Sequence, residues 1–173
     1  IFELSIRSSL IDSVLAVLVL HEVNEIRIKD VVGEVFRVLK SRGVFLVIDK
    51  FMEDFYSTPS EELPLLTEIA LHRAIEYAYG VKAWGIRKVD ELIHVITKEG
   101  FEVKLTIDII LKKWISGDKF LKHYGMRTFK FLEVINGEEK RREIIQLVDE
   151  IKSKALIYGY GPVKAKAILF VKP

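Results

Sequence analysis

"VVGEVFRVLKSRGVFLVIDK", Val31 to Lys50, changes its period halfway along. Ile28, Val31, Val32, Val35 and Leu39 recur at helical spacing, with Lys29, Asp30, Glu34, Arg37 and Lys40 on the other side. Val44 to Asp49 is instead a short unbroken apolar run, which reads as a buried strand. Between them lies Lys-Ser-Arg-Gly, where Gly43 is expected to take the left-handed turn that stops the helix. Upstream, Asp12 to Leu20 is another apolar run, expected to be a strand covered on both faces, and it ends in His21-Glu22. A strand, a helix and a second strand of this kind predict a right-handed βαβ unit and so a parallel sheet.

Farther along, Thr58-Pro59-Ser60-Glu61 fits a capping box with proline in the first turn. Pro64 would remove a hydrogen bond inside that helix, so one short turn and then a fresh helix from Pro64 to about Tyr79 are expected, closed by Gly80. Val89, Leu92, Ile93 and Ile96 mark the next helix, stopped by Gly100, and Phe101 to Ile107 a third strand. Ser116 is expected to cap a short helix bearing Phe120, Leu121 and Tyr124, ended by Gly125. Thr128 to Gly137 fits strand or helix, with helix favoured. Ile144, Val148, Ile151 and Ala155 define a long amphipathic helix, and Val163 to Val171 is the last strand, with Lys164 and Lys166 alternating outward.

With 173 residues, half of them hydrophobic, a single domain over 1–173 is expected. Lys and Arg number 27 against 25 Asp and Glu, and the densest run, Glu138 to Glu143, mixes both signs as a solvated helix face does, so nothing indicates nucleic acid. Cysteine is absent, which excludes disulfides, zinc thiolates and thiol catalysis. Asparagine occurs only at Asn24 and Asn136 and glutamine only at Gln146, beside abundant Lys, Glu and Ile; this balance resembles proteins of hyperthermophiles. No apolar stretch reaches the roughly 20 residues of a membrane-spanning helix. "IFELSIR" lacks the features of a signal peptide, and a cytoplasmic protein with no membrane association is expected. The initial isoleucine raises the expectation that an upstream part is absent.

"IDSVLAVLVLHEV", "VVGEVFRVLKSRGVFLVIDK", "EGFEVK" and the closing "AKAILFVKP" together resemble the C-terminal half of the class I S-adenosylmethionine-dependent methyltransferases, in particular the small-molecule group similar to quinone-biosynthesis enzymes. The resemblance implies an α/β fold: a three-layer Rossmann-like sheet truncated to its C-terminal strands, mostly parallel with one antiparallel strand. It also implies a lid-like helical excursion over 54–84 and a helical insertion over 109–160. The family's usual Lys-Pro-Gly-Gly turn is Lys40-Ser41-Arg42-Gly43 here. The strand, glycine-rich turn and helix that cradle the cofactor's amino-acid end have no counterpart. The one Gly-x-Gly, Gly159-Tyr160-Gly161, stands between a helix and a strand, the reverse of the required order, and reads as a plain turn.

What the resemblance implies about the site follows from where ligands bind in open α/β sheets, at the carboxyl ends of the strands. Ala16, Val17, Leu18 and His21 would lie beside S-adenosylmethionine, with His21 the candidate for a contact or catalytic base. Asp49 and Lys50 on the same rim, with His72 and Tyr79 from the lid, would face a small-molecule substrate. Tyr77 and Trp84 could also line the lid, although aromatic residues at helical spacing are more often core. His94 is expected on the polar side of its helix and His123 in a short surface helix, without carboxylate or histidine partners around them, so no metal site is expected. Without the family's first strand, residues 13–20 would form an apolar sheet edge, which invites homodimer formation unless Phe2 to Ile6 fold over it. Three functions stay open: a part of a methyltransferase, a non-catalytic oligomerising or interaction module derived from that fold, or an enzyme completed by a separate polypeptide.

Overall fold

A computed structural model describes residues 3–55, 57–123 and 128–173. Its elements are β1 (Ile11–Val17), α1 (Ile28–Val38), β2 (Leu39–Asp49), α2 (Pro59–Tyr79), α3 (Val89–Lys98), β3 (Glu102–Lys112), α4 (Gly117–His123), α5 (Glu138–Tyr158) and β4 (Val163–Val171). The four strands make one sheet in the order β1-β2-β4-β3. β1 pairs with β2 in parallel, as the βαβ reading requires, while β4 runs antiparallel to both β2 and β3. The expected mostly parallel sheet therefore holds for strand direction but not for pairing. One reversed strand inside the sheet makes two of the three pairings antiparallel.

Helices α1 and α3 cover one face of this sheet. Phe45, Val47, Ile168 and Phe170 project into them and are fully buried with Val32, Leu39 and Ile96. Each such side chain contributes about 1.5–3 kcal/mol relative to an exposed one. The opposite face carries the alternate residues of the same strands and has much less cover. Leu15 is 61% exposed, Leu105 52%, Ile107 48% and Val17 44%. This corrects the reading of residues 12–20 as a strand buried on both sides. The strand ends at Val17, and its second face stays largely uncovered among the described residues.

Two further expectations change for local reasons. α1 is stopped at Val38 by a direct passage into β2, and Gly43 does not cap it. A Cβ at Gly43 would meet the Lys40 carbonyl oxygen at 2.8 Å, so this glycine serves close approach, and Arg42 takes the positive φ instead. α2 runs unbroken through Pro64. The carbonyl of Ser60, which loses its helical partner to the proline, instead accepts a hydrogen bond from the Gly161 N–H at 2.8 Å. Thr58 caps α2 by accepting from the Glu61 N–H, but the Glu61 carboxylate turns away to Lys164 (2.6 Å), so half of the expected box forms. Gly80 closes the helix in the left-handed conformation, as expected.

β3 extends to Lys112, so residues 109–112 belong to the sheet and not to a helical insertion. Lys164 and Lys166 are not free outward charges: Lys166 pairs with Asp54 (3.0 Å) and Asp108 (2.6 Å). Thr128–Phe131 forms one 3₁₀ turn. Tyr124 and Gly125 lie outside the described residues, as does Phe2. The segment from Leu4 to Leu10 bonds to α1 through Glu34, Arg37 and the Val38 carbonyl, and leaves the edge of β1 unpaired by it. Helices α2, α4 and α5 pack on one another around Leu63, Ala70, Phe120, Ile151 and Ala155, a core separate from that beneath the sheet.

Candidate functional site

The site begins where β1 ends. Leu18 takes a positive φ of 52° while its N–H still bonds the Ile48 carbonyl (2.8 Å), so the chain turns sharply away from the sheet. Leu20 then plugs the core, and Leu20–Glu22 form a 3₁₀ turn that presents His21 above the strand tips. The loop before α3 ties this turn in place, with the Gly85 N–H on the His21 carbonyl (2.9 Å) and the Trp84 N–H on Val23 (2.6 Å).

Asp49, the last residue of β2, organises the turn. It is 2% exposed. Its Oδ2 accepts from the backbone N–H groups of Leu20 (3.1 Å) and His21 (3.2 Å), and its Oδ1 from Lys50 N–H (2.8 Å). The same carboxylate takes the Nδ1 proton of His21 in a short hydrogen bond. Asp49, expected on the rim facing a substrate, is engaged by His21 and by the backbone of the turn. With Nδ1 occupied, Nε2 is directed at Glu22 Oε1, 3.4 Å away.

α2 brings the remaining members down from above. His72 Nε2 lies 3.2 Å from Glu22 Oε2, and the rings of His21 and His72 are 5.9 Å apart. Glu68, one helical turn before His72, pairs through Oε1 with Lys50, whereas its Oε2 is buried without a hydrogen-bond partner. His21, Glu22, Lys50 and Glu68 open on a cleft of about 320 Å³ closed by Leu18, Leu111, Lys112, Tyr160 and Val163. Glu68 and His72 also line a smaller cavity of about 200 Å³ with Trp84.

Burial pushes the His21 pKa down, but the hydrogen bonds to Asp49 and Glu22 and the Asp49 charge outweigh it, raising the value from 6.5 to about 9. Hydrogen bonds from His21 and His72 hold the Glu22 carboxyl well below the usual carboxylate range. His21 therefore stands in the cleft as a charged donor at neutral pH, a poor state for a general base and a good one for holding an oxygen or an anion.

Of the residues singled out from sequence, Leu18, His21, Lys50 and His72 converge here. Ala16 packs against the core beneath α1, and Val17 lies on the uncovered sheet face. Tyr79 stands at the far end of α2 against Phe131, away from the cleft. Tyr77 donates to Glu143 (2.6 Å), and Trp84 stacks on Arg87. Glu68 and Tyr160 went unrecognised. For Glu68 the available signal is its four-residue spacing from His72. For Tyr160 there is none, since it arrives on a turn. No metal site is expected around His94 and His123; elsewhere, His21, Glu22, Glu68 and His72 each offer a donor atom within 4.8 Å of the others.

No protein-family model and no curated protein matches the sequence. Solved structures do. A Bacillus halodurans protein described as a candidate methyltransferase aligns over 99% of this chain and 68% of its own, at 15% identity and a TM-score of 0.55. An S-adenosylmethionine-dependent methyltransferase from Methanosarcina mazei aligns over 98% of this chain and 63% of its own (14% identity, TM-score 0.53). The cyclase SpnF aligns over 99% and 53% (15% identity, TM-score 0.52). The chain thus spans between about half and two thirds of the length of these neighbours. No helix among the described residues is long and apolar enough to cross a membrane. The architecture built above, with its internal reversed strand, is the methyltransferase-like α/β fold that the sequence resemblance implied.

Proposed function

We propose that this chain supplies the strand-tip and lid side of an S-adenosylmethionine-dependent methyltransferase site acting on a small molecule. The observation that carries the reading is His21, pinned by Asp49 at the carboxyl ends of β1 and β2 and opening on the 320 Å³ cleft. In this role Leu18 and the apolar end of β1 border the methyl donor. His21 acts as a fixed cationic donor that orients an acceptor oxygen, and Lys50 adds a second positive charge. Positioning of this kind is a large share of what methyl transfer requires. The cofactor's amino-acid end needs a glycine-rich turn between a strand and a helix, which these residues lack, so its cradle comes from another segment or polypeptide. SpnF, a cyclase of similar fold, is a reminder that this architecture hosts more than one reaction.

The test is backbone amide NMR during titration with S-adenosylhomocysteine. Weak binding is expected, with shifts confined to Leu18, His21, Glu22 and Lys50. An unchanged spectrum around the cleft at millimolar ligand would overturn the reading.

A second reading, an interaction module that pairs with itself, is favoured by a different observation. The open edge of β1 and the apolar face bearing Leu15 and Leu105 form a surface of the kind that homodimers bury. Sedimentation equilibrium decides this one: a monomer at all concentrations excludes a homodimer through residues 13–20.

A further inference from the structure

We propose that His21, Glu22, Glu68 and His72 bind a divalent cation of the zinc class, with Asp49 as the residue that orients His21 toward it. The proposal concerns the same His21 as the methyl-transfer reading and gives it a different state, since an ion on Nε2 takes the place of the proton there; it is argued from the donor set and from how that set is held. Two imidazole nitrogens and two carboxylates are a borderline donor combination that suits Zn²⁺ and its transition-metal neighbours better than Mg²⁺ or Ca²⁺, which prefer oxygen alone.

Three features distinguish this group from an ordinary surface cluster of charges. His21 is 3% exposed, its Nδ1 is committed to Asp49, and its Nε2 faces Glu22 Oε1 at 3.4 Å, so a cation would take Nε2 in place of its proton. A carboxylate on the remote nitrogen is the arrangement found behind metal-bound histidines, where it fixes the tautomer and makes the ligand more basic. Glu68 keeps one oxygen on Lys50 and holds the other buried with no partner, a costly condition that a bound cation would remove. The donors also come in two rigid pairs, one on the 3₁₀ turn at Leu20–Glu22 and one on a single face of α2 at Glu68 and His72.

The donor atoms lie within 4.8 Å of one another. Ligands of a tetrahedral zinc ion are about 3.5 Å apart, given metal–ligand bonds of about 2.0–2.2 Å. An approach of about 1 Å between α2 and the turn therefore closes the site. Because His21, Glu22 and Glu68 also line the larger cleft, an ion held here is reachable by a small ligand from that side.

The experiment is isothermal titration of the whole chain, stripped with chelator, using Zn²⁺ and separately Mg²⁺. Co²⁺ absorption serves as a spectroscopic check. Expected is one zinc per chain with micromolar or tighter affinity, no comparable Mg²⁺ binding, and visible Co²⁺ bands. His72→Ala and Glu68→Gln, neither fully enclosed, should each weaken zinc about 100-fold, and Asp49→Asn about 10- to 100-fold. His94→Ala, a histidine outside the group, should leave affinity unchanged. Circular dichroism on His72→Ala confirms that the loss is not unfolding. Absent zinc binding, or a His72→Ala protein that binds like the parent, overturns the proposal.

Discussion

The two faces of the one sheet are built from the same alternating strands and meet opposite fates. On one, Phe45, Val47, Ile168 and Phe170 are sealed under α1 and α3. On the other, Leu15, Val17, Leu105 and Ile107 have comparable hydrophobicity and remain open. An unbroken apolar run reads as a strand covered on both faces, but it does not encode where the cover resides. The packing of the sheet is accordingly one-sided, and the His21 cluster lies at the tips of its strands.

Substitutions can break this contrast. Phe45→Ala should cost about 3–5 kcal/mol in denaturant unfolding, because it opens a cavity between two fixed layers. Parity with a substitution on the open face would mean that the two faces are equally packed. Asp49→Ala should cost about 3 kcal/mol, since it strands three backbone donors and the His21 imidazole in a buried place. If stability hardly changes, Asp49 does not organise the turn.

A smaller effect comes with pH. His21 titrates at about 9 in the folded chain and near 6.5 when unfolded, so the folded state holds its proton longer. Its contribution is complete below pH 6.5 and drains away as pH rises to about 9. Urea midpoints measured in the presence of chelator should fall across that window, and His21→Gln should flatten the fall. Least of all, Leu15→Lys and Leu105→Lys should change unfolding free energy by no more than about 0.5 kcal/mol. They should nonetheless shift any self-associated species toward monomer in sedimentation. A large destabilisation would show that something within the chain already covers that face.

How much of this was legible in the sequence depended on whether the deciding partner lay nearby. β4 was expected over Val163–Val171 and runs there, because its alternation and its flanking turns are local. The continuity of α2 through Pro64 was hidden, since the N–H that relieves Ser60 belongs to Gly161, far along the chain. His21 and Asp49 were both placed on the rim, yet their mutual bond depends on the turn at Leu18, where a non-glycine residue adopts a positive φ that no turn signature announces. Glu68 has only its four-residue spacing from His72 to mark it, and its place over Lys50 depends on how α2 packs.

Because α2, α4 and α5 wrap a hydrophobic interior of their own, they form a cap that keeps its integrity when lifted. Its root is stapled to the start of β4 by Ser60–Gly161 and Glu61–Lys164. What latches it over the mouth is polar and sparse: Lys50 with Glu68, and Glu22 with His72. Lifting the cap would break these ion pairs while leaving the interior shared by α2, α4 and α5 intact.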